Sequence, residues 1–214
     1  MQLKLDKDKI GFDCDDVLFA FNPAFLAHTN ALHKTSFTLE DITHVPYSQC
    51  PKLRQLGDLA YWVDAVKTFT TTPTFAGLPP VEGMREAIQK LKQEGYTLYA
   101  ITGRDSALEG ITQTALDHHY PGAFSDLVCT NHFGNKKIKK SEVGIRLQIS
   151  ILVDDWYVHA RDCATEGITV VLPHYPCNRE GRDSLSQENP FIRNYIVTVE
   201  KPNMITYLIP HLHR

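Results

Sequence analysis

Short apolar runs that end in polar or charged residues alternate along this chain with segments of helical period. Ile10-Gly11-Phe12 runs into Asp13, and residues 96–102 (YTLYAIT), 126–130 (DLVCT), 149–153 (ISILV) and 168–172 (ITVVL) have strand length and strand composition. Between them, residues 82–94 place Met84, Ala87, Ile88 and Leu91 at i, i+3, i+4, i+7, with Gly95 where a helix stop belongs. Residues 106–118 carry Leu108, Ile111 and Ala115 on one stripe, and 141–147 and 156–164 have room for shorter helices. Unbroken apolar strands alternating with helices predict an α/β fold, a Rossmann-like three-layer sandwich whose mostly parallel sheet is covered on both faces. Residues 174–190 are loop-like in composition, and the tail adds a strand at 195–199 (YIVTV) and a helix at 202–209.

Residues 20–77 break the rhythm. They carry FNPAFLAHTNALHK, a polar stretch and LRQLGDLAYWVDAVKTF, which predict two or more helices inserted after the first strand as a small helical cap. Pro79-Pro80 marks the return, so the division expected is a core of residues 1–19 and 78–214 and a cap of residues 20–77.

Composition narrows the class. With 214 residues, 43% of them apolar and 22% charged, the chain has the profile of a globular protein rather than a disordered or coiled-coil one. A chain of this size buries about 70% of its unfolded surface, enough for one core with a small appended unit. The net charge of −3 argues against a nucleic-acid-coating surface, and five cysteines without a C-x-x-C pair suit neither a disulfide framework nor a four-cysteine zinc site. No apolar run approaches a membrane span, and the first sixteen residues lack the apolar core of a signal peptide, so a cytoplasmic location is expected.

Four features carry candidate chemistry. Asp13, Asp15 and Asp16 follow the first strand directly, where open α/β sheets hold their ligands, and paired carboxylates there can divide the tasks of nucleophile or metal ligand and acid. Asp154 and Asp155 follow ISILV, and two adjacent carboxylates at a strand end call for a hard cation such as Mg²⁺. Thr102-Gly103-Arg104 ends the YTLYAIT run with a hydroxyl, a permissive glycine and a guanidinium, a set suited to an oxyanion. Among Lys136, Lys137, Lys139 and Lys140 one ammonium could neutralise a phosphate, Lys140 being favoured because it opens the helix that leads into the Asp154 strand. Singly, each feature is also explained as a helix cap, a turn or a solvated face. The ten histidines form no ligand pair near a carboxylate cluster and are expected at the surface or partly packed, and no Gly-rich phosphate loop or G-x-S-x-G elbow occurs.

In order and spacing, IGFDCDDVLFAF, YAITGR, the lysine run and ILVDD resemble the four motifs of the haloacid dehalogenase (HAD) phosphotransferase superfamily over residues 8–172, with a C1-type helical cap between the first two. Within it the chain is similar to the 5'(3')-deoxyribonucleotidase group through residues 75–83, ITGRD and VVLPHYPCN, although Asp16 stands where that group usually carries glycine. The resemblance implies a Mg²⁺-dependent phosphomonoesterase. Asp13 would be the nucleophile and Asp15 the acid and base. Thr102 and Lys140 would bind the transferring oxygens, and Mg²⁺ would sit on Asp13, the Asp15 carbonyl and Asp154, with Asp155 as ligand or support. An acid at position 15 disfavours a dehalogenase, since a carbon–halogen bond needs no proton donor. Gly103 and Arg104 are expected to contact the substrate, and Phe19, Phe21, Tyr47, Tyr61 and Trp62 are candidates to stack on a base. The partner expected is thus a small phosphorylated molecule, a (deoxy)nucleoside monophosphate first, with no membrane or nucleic acid; a homodimer is compatible with this. The alternatives are a phosphatase for a sugar phosphate or other small ester, or a catalytically silent scaffold of this fold used for binding.

Overall fold

A computed structural model describes residues 6–132, 134 and 136–212. Strands β1 (Asp6–Phe12), β2 (Thr97–Thr102), β3 (Phe124–Cys129), β4 (Ile149–Val153), β5 (Thr169–Pro173) and β6 (Ile196–Val199) form one sheet in the order β3-β2-β1-β4-β5-β6. Every neighbouring pair is parallel, where the sequence predicts a mostly parallel sheet. The apolar runs explain this arrangement. Ile10, Phe12, Leu98, Ala100, Leu152, Val153, Val170 and Val171 are inaccessible to solvent, so both faces of the sheet must be covered. The chain builds outward from β1 through β2 to β3, then crosses back to lay β4, β5 and β6 on the other side. The order therefore reverses between β1 and β4, which is where open α/β sheets leave a crevice at their carboxyl edge.

Helix α1 (Phe21–His33), α2 (Leu59–Thr70) and the single-turn α3 (Pro73–Ala76) occupy the stretch between β1 and the rest of the sheet, together with three one-turn 3₁₀ segments. Their shared interior is aromatic: Phe25 lies 5.6 Å from Phe21 and 5.3 Å from Phe69, ring centre to ring centre, and Trp62 and Phe75 close the cluster. The chain leaves for these helices and returns from them side by side. Ala20 N–H donates to the Pro79 carbonyl at 2.9 Å and Val81 N–H to the Leu18 carbonyl at 3.0 Å, so Pro79-Pro80 seats the return strand-like against Phe19.

The remaining helices follow the apolar periods closely: α4 (Met84–Gln93), α5 (Glu109–His119), α6 (Lys140–Leu147) and α7 (Tyr157–Thr165). A 3₁₀ turn at Ser106–Leu108 precedes α5 because Asp105 accepts the Ala107 amide and holds the chain tighter there. The loop-like stretch after β5 instead contains α8 (Arg179–Asp183) and α9 (Pro190–Asn194) flanked by 3₁₀ turns. These elements are one turn or little more, too short to show a 3.6-residue period. They rest on local caps such as Asn189, which accepts the Phe191 amide beside a proline at the first helical position. The chain closes with α10 (Ile205–Leu212). Among the described residues no helix is long and apolar enough to cross a membrane.

Phe12 is fully buried beneath the carboxyl edge of β1, edge-on to Phe124 at 6.1 Å. Phe12→Ala is expected to lower the stability by ~3–5 kcal/mol through lost transfer energy and a residual cavity. Urea unfolding should show this as a lower midpoint with an unchanged slope.

Candidate active site

The register of the sheet determines what faces the crevice. Phe12 pairs with Val153, and the ladder runs one residue further, with Asp13 N–H donating to the Val153 carbonyl at 2.9 Å. Asp13 and Asp154 thus leave adjacent strands at one level, and both are buried, Asp154 completely. Lys140, the first residue of α6, enters between them: its Nζ lies 2.9 Å from Asp13 Oδ1 and 2.6 Å from Asp154 Oδ2, and its side chain is 1% exposed. The other lysines of the run point away; Lys136 and Lys137 are exposed, and Lys139 pairs with Asp162 at 2.9 Å on the surface. Asp13 Oδ1 also accepts the Cys14 amide at 2.8 Å, and Asp154 Oδ1 accepts the Trp156 amide at 2.9 Å just before α7.

Asp155 completes the cluster. Ligand atoms of Asp13, Asp154 and Asp155 all lie within 4.8 Å of one another. Its backbone carbonyl accepts a hydrogen bond from Asn178 Nδ2 at 2.7 Å, and the same amide group reaches the Pro173 carbonyl, so buried Asn178 ties the end of β5 to the Asp155 loop. Burial raises the Asp155 carboxyl well above the ordinary range, and the Asp13 and Asp154 charges add to the effect. Burial also raises Asp13, to about 6, with Lys140 opposing. For Asp154 burial acts in the same direction, but Lys140 and His159 overcome it and hold the group below the usual carboxylate range. Lys140 stays charged: burial lowers its proton affinity, and Asp13 and Asp154 more than restore it. A compact set of carboxylate oxygens, with more negative charge than Lys140 neutralises, fits a hard divalent cation.

The loop after β1 turns back on itself, Leu18 and Phe19 N–H both donating to the Cys14 carbonyl. Asp16 sits in this turn at φ 57°, a left-handed conformation that Asp tolerates better than most residues. Its carboxylate accepts the Asn22 amide at 3.0 Å and caps α1 from outside, since Ala20 offers no side-chain cap. Burial raises its carboxyl well above the ordinary range, with the Asn22 hydrogen bond opposing. Tyr175 donates to the Asp16 carbonyl at 2.7 Å, and within the helical segment Tyr47 donates to Asn22 Oδ1 at 2.6 Å.

Thr102 ends β2 fully buried, and its carbonyl accepts both the amide and the hydroxyl of Thr130. The β1–β2 register puts it one residue past the level of Asp13. Gly103 contributes backbone only, its carbonyl accepting the His132 amide. Arg104, expected to reach a substrate, is engaged elsewhere: it forms a two-pronged pair with Asp15, Nη2 to Oδ1 at 2.6 Å and Nε to Oδ2 at 3.1 Å. Asp15, partly exposed, is not one of the three clustered carboxylates. The base-stacking candidates are mostly interior. Phe19, Phe21 and Trp62 are buried, Tyr47 stacks on Phe25 at 5.2 Å, and the Tyr61 hydroxyl is hydrogen bonded to His33 at 2.7 Å.

Sequence reasoning missed His159, whose Nδ1 lies 3.4 Å from Asp154 Oδ2, and His132, whose Nδ1 meets His159 Nε2 at 3.2 Å. Trp156 packs against both rings at 4.6 Å. A signal for His159 was present, since it follows Asp155 by four residues and falls on the first turn of α7. Asn178 carried no comparable signal.

No family model matches the chain, and no curated protein matches it. Solved structures do. A protein from Thermotoga maritima described as a β-phosphoglucomutase superposes with a TM-score of 0.60 at 18% identity, covering 95% of this chain and 99% of that one. A HAD family hydrolase from Deinococcus radiodurans, solved with bound phosphate and sodium, gives 0.63 at 15% identity, covering 96% of both chains. A protein from Lactobacillus delbrueckii described as a phosphoglycolate phosphatase gives 0.61 at 14% identity over 98% of this chain and 99% of that one. The chain has their fold.

The raised carboxyls make the cluster sensitive to pH and cation together. A carboxylate whose folded value is raised contributes stability that is complete below its unfolded value of about 3.9 and is lost as pH rises through the folded value. For Asp13 that loss runs from about pH 4 to about 6, and for Asp155 burial moves its upper end the same way. Asp155→Asn should therefore raise Tm in excess EDTA, by more at about pH 7.5 than at about pH 5. It should also shrink the Tm increase that Mg²⁺ gives the unaltered chain at the higher pH. Calorimetric scans with and without Mg²⁺ at the two pH values check both differences.

Proposed function

We propose that the protein is a Mg²⁺-dependent phosphomonoesterase of the haloacid dehalogenase type that hydrolyses a small phosphoester through an aspartyl-phosphate on Asp13. The observation that carries this reading is the meeting of Asp13, Lys140, Asp154 and Asp155 at the reversal point of the sheet. Asp13, Asp154 and Asp155 would hold the cation, joined by the Asp15 carbonyl. When bound, Mg²⁺ neutralises the transferring oxygens and orients the phosphoryl group toward Asp13.

In this reading Asp13 Oδ1 stays fixed by Lys140 and the Cys14 amide, and Oδ2 attacks phosphorus as the ester P–O bond breaks. Asp15 delivers a proton to the departing alkoxide, then takes one from the water that attacks the aspartyl-phosphate, which releases phosphate and restores Asp13. Lys140 and the Thr102 hydroxyl stabilise the charge on the equatorial oxygens. Cys14, between the two aspartates, takes no part: burial pushes its thiol up to about 12 and keeps it protonated. Residues 20–77 act as the cap that covers the crevice, with the Asn22 amide tying it to Asp16 and Tyr47 holding the Asn22 side chain.

The substrate class is a small ester such as a sugar phosphate or phosphoglycolate rather than a nucleotide. The similar structures described as a β-phosphoglucomutase and a phosphoglycolate phosphatase support this choice. So does the engagement of Phe19, Phe21 and Trp62 in the interior, which withdraws them as platforms for a base.

Asp13→Asn is expected to retain the fold, read by circular dichroism, and to lose ~10³-fold or more of Mg²⁺-dependent turnover of p-nitrophenyl phosphate. Undiminished turnover would overturn the nucleophile. In a panel of esters at fixed Mg²⁺, kcat/KM should be higher for phosphorylated sugars and 2-phosphoglycolate than for nucleoside monophosphates. The reverse order would return the nucleotidase reading.

A further inference from the structure

A guanidinium suits a site that receives an anion, yet that of Arg104 is spent on partners within the protein. Its side chain is 6% exposed, and three of its nitrogens are committed: Nε and Nη2 to the two oxygens of Asp15, and Nη1 to Thr112 Oγ1 at 2.9 Å. Thr112 in turn donates to the Leu108 carbonyl one turn back on α5, which fixes the direction of its oxygen. The guanidinium carbon lies 4.7 Å from the centre of the Phe75 ring and 5.6 Å from that of Phe19. Phe19 and Phe75 flank the exit to the helical segment and the return from it, so the Arg104 fork is wedged where the chain leaves the core and comes back.

A buried guanidinium is kept only where its desolvation is offset by close partners, and a planar fork fixes a carboxylate in direction as well as in place. A proton donor needs that direction, because one oxygen must come within hydrogen-bond reach of the departing atom. Each Asp15 oxygen has a second acceptor position, so the fork takes one from each and leaves the other free to face the crevice.

We propose that Arg104, anchored by Thr112, is the positioning residue that aims Asp15 at the leaving oxygen of the ester. The proposal rests on the reading of Asp15 as the proton donor given above. Arg104 itself does not touch the substrate, which separates this role from the substrate contact expected of it from sequence.

The test compares two esters that differ in their need for a proton. p-Nitrophenolate leaves without one, whereas the alkoxide of glycerol 2-phosphate does not. For each, kcat/KM reads only the steps up to alcohol release, so the later attack of water does not enter. Arg104→Lys keeps the charge but loses the fork, and the ratio of kcat/KM for glycerol 2-phosphate to that for p-nitrophenyl phosphate is expected to fall ~30-fold or more. Thr112→Val leaves the guanidinium and removes one anchor, and should shift the ratio the same way by ~3–10-fold; it serves if the lysine variant folds poorly. Asp15→Asn, measured alongside, should shift the ratio at least as far as Arg104→Lys. An equal loss on both esters, or none, in the Arg104 and Thr112 variants while Asp15→Asn shifts the ratio would overturn the proposal alone. An unshifted ratio in Asp15→Asn would overturn the proton-donor reading, and this inference with it.

Discussion

Two buried aspartates at the same level of parallel strands cannot both stay ionised unless a positive charge stands between them, and here that charge is Lys140. Asp13 and Asp154 are buried neighbours on β1 and β4, and the ammonium bridges them at 2.9 and 2.6 Å. Each member of this trio would be costly in an apolar interior without the other two. Its position follows from the sheet. β1 and β4 lie on either side of the reversal in strand order, where open α/β sheets leave a crevice at the carboxyl edge. Starting α6 at Lys140 places the ammonium there.

The surroundings can be understood as the support this trio requires. Asn178 holds the Asp155 loop through its backbone, and the Trp156 amide holds one oxygen of Asp154. On the other side, the turn after β1 uses a left-handed Asp16 to double back, and the same residue caps α1. A glycine would make that turn with less backbone cost but could not offer the carboxylate. Asp16 thus couples the crevice to the helical segment, and Tyr47 and Tyr175 approach the same turn from two other parts of the chain.

Much of this was legible in the sequence, and for a definite reason. A parallel strand buried on both faces must be a continuous apolar run, so the first polar residue after it marks the carboxyl edge of the sheet; Asp13 and Asp154 were found in that way, and Thr102 by the same logic. Lys140 was singled out because it begins a helical period. What the sequence did not disclose depends on side chains meeting across long separations. The Arg104–Asp15 pair spans 89 positions and the Tyr175–Asp16 contact 159, and neither leaves a local pattern. The single-turn elements between β5 and β6 escaped notice because their order comes from caps and not from periodicity. Nor could an aromatic in the helical segment be sorted into platform or core, since both demand the same residue type.

The charges themselves allow one more step. Asp13, Asp15, Asp16, Asp154 and Asp155 converge on one edge of the sheet, and the two permanent cations among them, Lys140 and Arg104, are already bound to particular partners. Burial leaves Asp155 and Asp16 reluctant to ionise, which is the form the surplus takes when only these groups are present. A phosphate monoester would bring about two further negative charges to the same place. The two surpluses repel: Lys140 keeps a third donor for such a ligand, but its charge and that of Arg104 are already offset by carboxylates. A divalent cation on Asp13, Asp154 and Asp155 would resolve both at once, because it would stabilise the ionised cluster and offer the incoming oxygens a positive centre. The same carboxylates that crowd negative charge at this edge of the sheet are therefore the ones that would make a metal-assisted phosphoryl site possible there.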